Sequence, residues 1–150
     1  GNVSLLTQIP ALINSRFTIC LEITEDEYLD TKIAHTHFKT LVESGFNLSL
    51  DDFGTGYSNL KNLQNLSFHQ LKIDRTFVQD IATEGLKASM IPNIMELVHK
   101  FNYTCVAEGI ETSEQEAILK TAGVHYGQGW KYGRPMTVDK FKKYLTKQTF

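Results

Sequence analysis

Two residue types that often dictate a fold are scarce in this sequence, whose 150 residues include two cysteines and three prolines. Cys20 and Cys105 lack the close spacing of a metal-binding or redox pair, so we expect both to be buried core thiols. No apolar run is long enough to span a bilayer. Basic residues do not outnumber acidic ones, and the net charge of −2 argues against a nucleic-acid polymer as partner.

The length suits one domain with a substantial core, and no linker or low-complexity segment divides it. Strands are predicted over 17–23, 47–51, 70–74, 103–107 and 124–128. Helices are predicted from 26 to 45 and over 59–63, 86–101, 113–122 and 138–146. The helix over 86–101 has the clearest apolar face, which includes Met90, Ile94 and Val98.

Strand–helix alternation is typical of an α/β fold with a parallel sheet and helices outside it. We predict a TIM-like (β/α)8 barrel that is incomplete here, with about six of its eight strand–helix units. An open doubly wound sheet is the alternative, but no G-x-G-x-x-G phosphate loop supports it.

Acidic side chains stand where several predicted strands end. Asp51 and Asp52 are followed at once by a glycine-rich turn. Glu22 and Glu108 stand at the ends of two other predicted strands. Side chains alternate across a strand, so one side of each strand would face the barrel axis. The residues expected around one mouth are Asn2, Glu22, Asp51, Asp52, Lys72, Glu108 and Gln128.

Carboxylates gathered in this way repel one another unless cations neutralise them. Oxygen ligands favour Mg²⁺, Mn²⁺ or Ca²⁺, and two such ions about 4 Å apart are a common device for hydrolysing phosphate esters. Lys72 would orient the attacking water or stabilise the charged transition state. The alternative is a set of buried ion pairs without catalytic meaning. The five histidines are interpreted as surface or core residues.

Five motifs occur in order: LEITE at 21–25, DDFGTGYSNL at 51–60, LKIDRTFV at 71–78, AEGIET at 107–112 and QGW at 128–130. Together they closely resemble the EAL family of cyclic di-GMP phosphodiesterases, over essentially the whole chain. The resemblance implies that 1–150 is an EAL domain lacking its N-terminal part. It also implies hydrolysis of cyclic di-GMP to linear pGpG with two Mg²⁺ or Mn²⁺ ions.

The resemblance also implies a role for each matching residue. It gives as metal ligands Asn2, Glu22, Asp51, which would bridge both ions, and Asp52 and Glu108 on the second ion. The catalytic residues would be Lys72, Glu108 and Gln128, with Lys72 and Gln128 near the attacking water. The supporting residues would be Glu25, which holds the DDFGTG loop, Thr55 within that loop, and the further site carboxylate Glu111.

The family's Glu-x-Leu strand, which carries another metal ligand, is expected upstream, so this span alone is expected to be weak or inactive. The expected partner is cyclic di-GMP, with homodimerisation through the region after the DDFG loop. The parent protein is expected in the cytoplasm or anchored in the inner membrane, with a sensor, cyclase-like or membrane domain upstream.

Two other hypotheses stay open. One is a catalytically inactive cyclic di-GMP receptor or protein-interaction module on the same fold. The other is an unrelated metal-dependent barrel lyase that uses Lys72 as its base.

Overall fold

A computed structural model describes residues 19–24, 32–53, 68–79, 81–83 and 90–147. Its sheet contains β1 (Cys20–Thr24), β2 (Asn47–Phe53), β3 (Gln70–Ile73), β4 (Thr104–Ala107) and β5 (Tyr126–Gly127). The order is β1-β2-β3-β4-β5, and every neighbouring pair is parallel. Each new strand therefore joins the same side of the one before it, as in a barrel, whereas a doubly wound sheet reverses its order. The α/β prediction is confirmed, and the described sheet is incomplete.

Helices follow β1, β3, β4 and β5 in the described part of the chain. The described helices are α1 (Lys32–Glu43), α2 (Arg75–Gln79), α3 (Ile91–Phe101), α4 (Ser113–Thr121) and α5 (Val138–Lys147), with a 3-10 turn at Ile81–Thr83. The sequence pattern missed α2, because five residues are too few to show a helical period. The helix predicted over 59–63 lies outside the described residues. None of the helices in the described ranges is long and apolar enough to cross a membrane.

The core lies between the sheet and its helices. Leu48, Leu50, Leu71, Ile73 and Cys105 on the strands are fully or almost fully buried, and Val98 on α3 is also buried. Burying one such aliphatic side chain contributes about 1.5–3 kcal/mol. These contacts hold the strands in register and so fix the places where the strands end.

Two burial predictions were wrong. Met90 is exposed because it stands before the first residue of α3, and Met95 occupies a buried position on that helix instead. Cys20 is exposed while Cys105 is buried, and both are free thiols. Cys20 lies on the same side of β1 as Glu22 but at the amino end of the strand, where its thiol donates to Gln70 Oε1 at 3.9 Å instead of packing into the core.

Two histidines have structural roles close to the starts of strands. The Nδ1 atom of His69 accepts a hydrogen bond from the backbone N–H of Leu48 at 3.3 Å. The Nδ1 atom of His125 accepts one from the N–H of Cys105 at 3.0 Å. Both rings therefore satisfy strand amides near the ends opposite the acidic mouth, in agreement with the interpretation of these histidines as surface or core residues.

Replacing Leu71 with alanine tests the core. Leu71 lies on β3 and has no exposed surface, so the Leu71→Ala variant should lose about 2–5 kcal/mol of unfolding free energy in urea titrations. The matched control is Val138→Ala at the start of α5, where the valine is 68% exposed. The control should stay within about 0.5 kcal/mol, and an equal loss in both variants would contradict the assigned core.

Candidate active site

An irregularity in β2 brings both acids of the Asp-Asp pair to one mouth. The register with β3 shifts between Leu50 and Phe53, and Asp52 has a positive φ of 55°. A bulge of this kind redirects side chains, and aspartate tolerates the left-handed conformation better than most residues. The strand therefore continues past its predicted end. Asp51 and Asp52, which a regular strand would point to opposite faces, both interact with Lys72.

Lys72 is the centre of the site. Its side chain is only 6% exposed, and its Nζ lies 2.7 Å from Glu108 Oε1, 2.9 Å from Glu22 Oε1 and 3.1 Å from Asp51 Oδ1. Lysine in the middle of β3 thus meets acids from β1, from β2 and from the residue after β4. Charge-assisted hydrogen bonds of this kind offset the free-energy cost of burying an ammonium group.

The protonation of Lys72 follows from these contacts. Burial alone would lower its pKa, but the hydrogen bonds to Glu108, Glu22 and Asp51 outweigh burial and raise the pKa above that of an ordinary lysine. Lys72 therefore stays charged across the physiological pH range. A lysine that acts as a general base needs a lowered pKa, so this geometry argues against the lyase hypothesis.

Negative charge exceeds positive charge at this mouth. Burial and the nearby Asp51 and Asp74 raise the pKa of Asp52, against a smaller opposing effect of Lys72. The carboxyl groups of Glu22, Asp51 and Glu108 thus contact a single buried ammonium, and the carboxyl group of Asp52 lies within range of its charge. In chemical type this donor set suits a hard divalent cation.

The described residues include no three Asp, Glu, His or Cys side chains spaced to chelate one ion. Instead, the carboxylates of Glu22, Asp51 and Glu108 converge on the ammonium group of Lys72. The assignment of individual metal ligands stays a prediction.

The remaining predicted site residues fall into two groups. Gln128 and Glu111 line the same cavity as Glu108, so the structure brings these three together. The other three, Asn2, Glu25 and Thr55, lie outside the described residues.

Two glycines permit close packing of the loop that follows β4, since Gly129 in the loop after β5 lies against it and its own Gly109 lies against α2. A Cβ on Gly129 would lie 2.1 Å from the carbonyl oxygen of Ile110, and one on Gly109, whose φ is 72°, would lie 2.6 Å from Arg75 Cβ. A backbone hydrogen bond links the loops after β4 and β5, because the N–H of Ile110 donates to the carbonyl of Gln128 at 3.0 Å. The AEGIET and QGW motifs are therefore parts of one structural unit.

Gln115 supports this unit and was missed by sequence reasoning. It is buried on α4, and its Oε1 accepts hydrogen bonds from the backbone N–H groups of Glu111 at 2.8 Å and Thr112 at 3.0 Å. Thr112 Oγ1 in turn accepts from the N–H of Gln115 at 3.1 Å, which completes a capping box. Gln115 thereby holds the backbone that presents Glu111. The sequence pattern that indicates this capping box is a threonine, Thr112, followed three residues later by a glutamine, Gln115.

A cavity of about 790 Å³ opens beside Glu108. Its wall includes Arg75, Trp130 and Arg134, which sequence reasoning did not single out. The guanidinium carbon of Arg134 lies 4.5 Å from the centre of the Trp130 ring, in a cation–π contact. The volume is in the range of small-molecule sites, and its wall combines aromatic surface with positive charge.

A parallel barrel sheet with an acid-lined mouth at the carboxyl ends of its strands is the arrangement of a barrel enzyme. The EAL domain model matches residues 3–135, and the chain belongs to this family. The chain is 42% identical over 126 residues to the probable cyclic di-GMP phosphodiesterase PdeB of Escherichia coli, covering 84% of this chain and 24% of PdeB. It thus spans about a quarter of that relative's length.

Solved structures agree with this family. The EAL enzyme Bd1971 in its cAMP- and cyclic-di-GMP-bound form matches with a TM-score of 0.81 at 35% identity, covering 85% of this chain and 34% of the other. Klebsiella pneumoniae BlrP1 in a manganese and cyclic di-GMP complex matches with a TM-score of 0.78 at 28% identity, covering 90% of this chain and 35% of BlrP1. A divalent metal thus accompanies cyclic di-GMP in a structural neighbour.

Replacing Lys72 with methionine tests the charge balance of the site. The Lys72→Met variant leaves the acids without their buried partner, and breaking such an arrangement costs about 3–5 kcal/mol at neutral pH. Glu22 is 56% exposed and screened by water, so most of this loss should come from Asp51 and Glu108. Chemical unfolding at pH 7 measures the loss.

The stability of the Lys72→Met variant should also change with pH in a definite direction. Without Lys72 the clustered carboxylates repel one another, and protonation relieves this repulsion in the folded state, so the variant should regain stability as the pH falls. Mn²⁺ should likewise raise its melting temperature. The control is Lys39→Met, which removes an exposed lysine 3.8 Å from Glu43. Equal stability of the two variants would contradict the central role of Lys72.

Proposed function

We propose that this protein is a metal-dependent phosphodiesterase that hydrolyses cyclic di-GMP to linear pGpG. The observation that carries the proposal is the convergence of Glu22, Asp51 and Glu108 on buried Lys72, in a chain of the EAL domain family. The cyclic di-GMP complexes of structurally similar proteins support the choice of substrate.

The proposed cofactor is a pair of Mg²⁺ or Mn²⁺ ions. Among the described residues, Glu22, Asp51, Asp52 and Glu108 would hold them, and Asn2 is proposed as a further ligand. Divalent ions at such a site supply a water of lowered pKa and neutralise charge on the phosphate oxygens. Manganese beside cyclic di-GMP in BlrP1 supports this choice of metal.

The chain's own residues perform the remaining tasks. Lys72 is a fixed positive charge, and its hydrogen bonds to three carboxylates prevent it from reorienting during the reaction. A preorganised charge of this kind favours the transition state, where negative charge develops on the phosphoryl group. Gln128 lines the cavity together with Glu108, which supports a role for Gln128 as the residue that hydrogen-bonds the attacking water.

The substrate would extend from this mouth into the adjoining cavity. Arg75 and Arg134 line the cavity, so an anionic ligand meets positive charge there. Trp130 offers the face of an aromatic ring on the same wall. These groups bind and orient the ligand, while Lys72 and the carboxylates act on the phosphodiester.

Replacing Glu108 with glutamine tests the reaction. With Mn²⁺ and cyclic di-GMP, the Glu108→Gln variant of the protein in its full natural length should release pGpG at least about 100-fold more slowly, the usual effect of removing a preorganised charged group. Chromatographic separation of pGpG measures the rate. The control is Glu114→Gln, which changes an exposed glutamate on α4 and should leave the rate unchanged.

Binding separates the two remaining hypotheses. Titration calorimetry with cyclic di-GMP should show binding by the natural protein together with turnover. Binding without any release of pGpG would contradict the hydrolase and support the inactive receptor.

A further inference from the structure

We infer that Tyr132 and Glu116 are positioning residues that hold one wall of the substrate cavity against α4. The wall is the 128–136 segment, which runs from Gln128 to Met136 and includes Trp130 and Arg134. This inference rests on the proposed function, because it assigns the segment to the binding of that substrate.

Backbone hydrogen bonds anchor the first part of the segment. The N–H of Gln128 donates to the carbonyl of Ala107 at 2.8 Å, and the N–H of Lys131 donates to the carbonyl of Ile110 at 3.0 Å. Residues 133–137 have no regular secondary structure. The second part of the wall, which includes Arg134, therefore depends on side-chain anchors for its position.

Glu116 supplies those anchors from α4 with both of its carboxylate oxygens. Tyr132 Oη donates to Glu116 Oε1 at 3.2 Å, and Lys131 Nζ lies 3.3 Å from Glu116 Oε2. Lys131 Nζ also donates to Ser113 Oγ, on the same helix, at 2.8 Å. One helical carboxylate thus holds two consecutive residues of the wall.

Tyr132 also joins α4 to the strand and helix on either side of the segment. A Cβ on Gly127 would lie 2.9 Å from Tyr132 Oη, so the phenol lies directly against the β5 backbone next to Gln128. Its backbone carbonyl accepts a hydrogen bond from Tyr144 Oη on α5 at 2.9 Å. A shift of Tyr132 would move the segment relative to both β5 and α5.

The reacting groups do not depend on Tyr132 or Glu116 for their positions. Lys72 lies on β3 and Glu108 follows β4, and the hydrogen bond between them does not involve the segment. Gln128, which belongs to the segment, is held by its own backbone hydrogen bond to Ala107. Loosening the wall should therefore weaken substrate binding and leave the chemical step unchanged.

Trp130 makes the segment visible, since it is the only tryptophan of the chain. The variants are Tyr132→Phe, which removes the hydroxyl, and Glu116→Ala, which removes both anchors. Acrylamide should quench Trp130 fluorescence more strongly in both variants than in the natural sequence, because the wall moves more freely. Glu116→Gln should bring the quenching back towards that of the natural sequence, since its amide oxygen can still accept from Tyr132.

The matched control is Lys120→Met. Lys120 also pairs with Glu116, at 3.0 Å, but its side chain is 72% exposed and belongs to α4 itself. Losing this pair leaves the contacts of Glu116 with Tyr132 and Lys131 in place, so quenching should match the natural sequence. Urea unfolding of each variant distinguishes local loosening from loss of the fold.

Kinetics supply the second measurement, on the protein in its full natural length. Loss of one hydrogen-bonded anchor, worth about 1 kcal/mol, should raise KM for cyclic di-GMP roughly fivefold in Tyr132→Phe with kcat unchanged. Unchanged quenching in Tyr132→Phe and Glu116→Ala would overturn the inference, as would a fall in kcat at constant KM. If the natural protein releases no pGpG, the proposed function fails, and the quenching series alone decides whether Glu116 and Tyr132 hold the segment.

Discussion

A buried ammonium group must find acceptors, and this requirement couples the fold of the barrel to its site. Lys72 is enclosed by its neighbours on the sheet, and its charge is compensated by Glu22, Asp51 and Glu108. These acids belong to β1, to β2 and to the residue after β4, so a one-residue slip of any of these strands would turn an acid away from Lys72. The register of the sheet therefore determines the geometry of the mouth.

The site also depends on exceptions to regular structure. Asp52 lies in a bulge with a positive φ, and Gly109 and Gly129 permit a backbone approach that any Cβ would block. Because Gly129 packs on the backbone of Ile110, the loop that presents Glu108 and the loop that begins at Gln128 are held at one distance. Regular strands alone would bring these loops to the same edge without joining them.

Much of the site follows from the parallel arrangement of the strands, which the strand–helix alternation of the sequence predicted. The carboxyl ends of parallel strands meet at one edge, so acids at or near the ends of separate strands were expected to gather, and Glu22, Asp51 and Glu108 do. Strict alternation would have turned Asp52 away, and the bulge that returns it depends on pairing with β3, which no local pattern records. Gln115 was missed because Ser113 and Glu116 offer a competing capping pair with the same spacing.

Charge explains why the acids and the cavity belong to one site. A phosphodiester is an anion, and a mouth in which three carboxyl groups surround one ammonium would repel it. Lys72 is already engaged by these three carboxylates, so it cannot alone attract such an anion. Arg75 and Arg134 place positive charge on the adjoining wall, which would draw an anionic ligand towards the cavity and not onto the acids. The remaining negative charge needs further cations before an anion can react there, and this is the strongest physical reason to propose divalent metal ions for this protein.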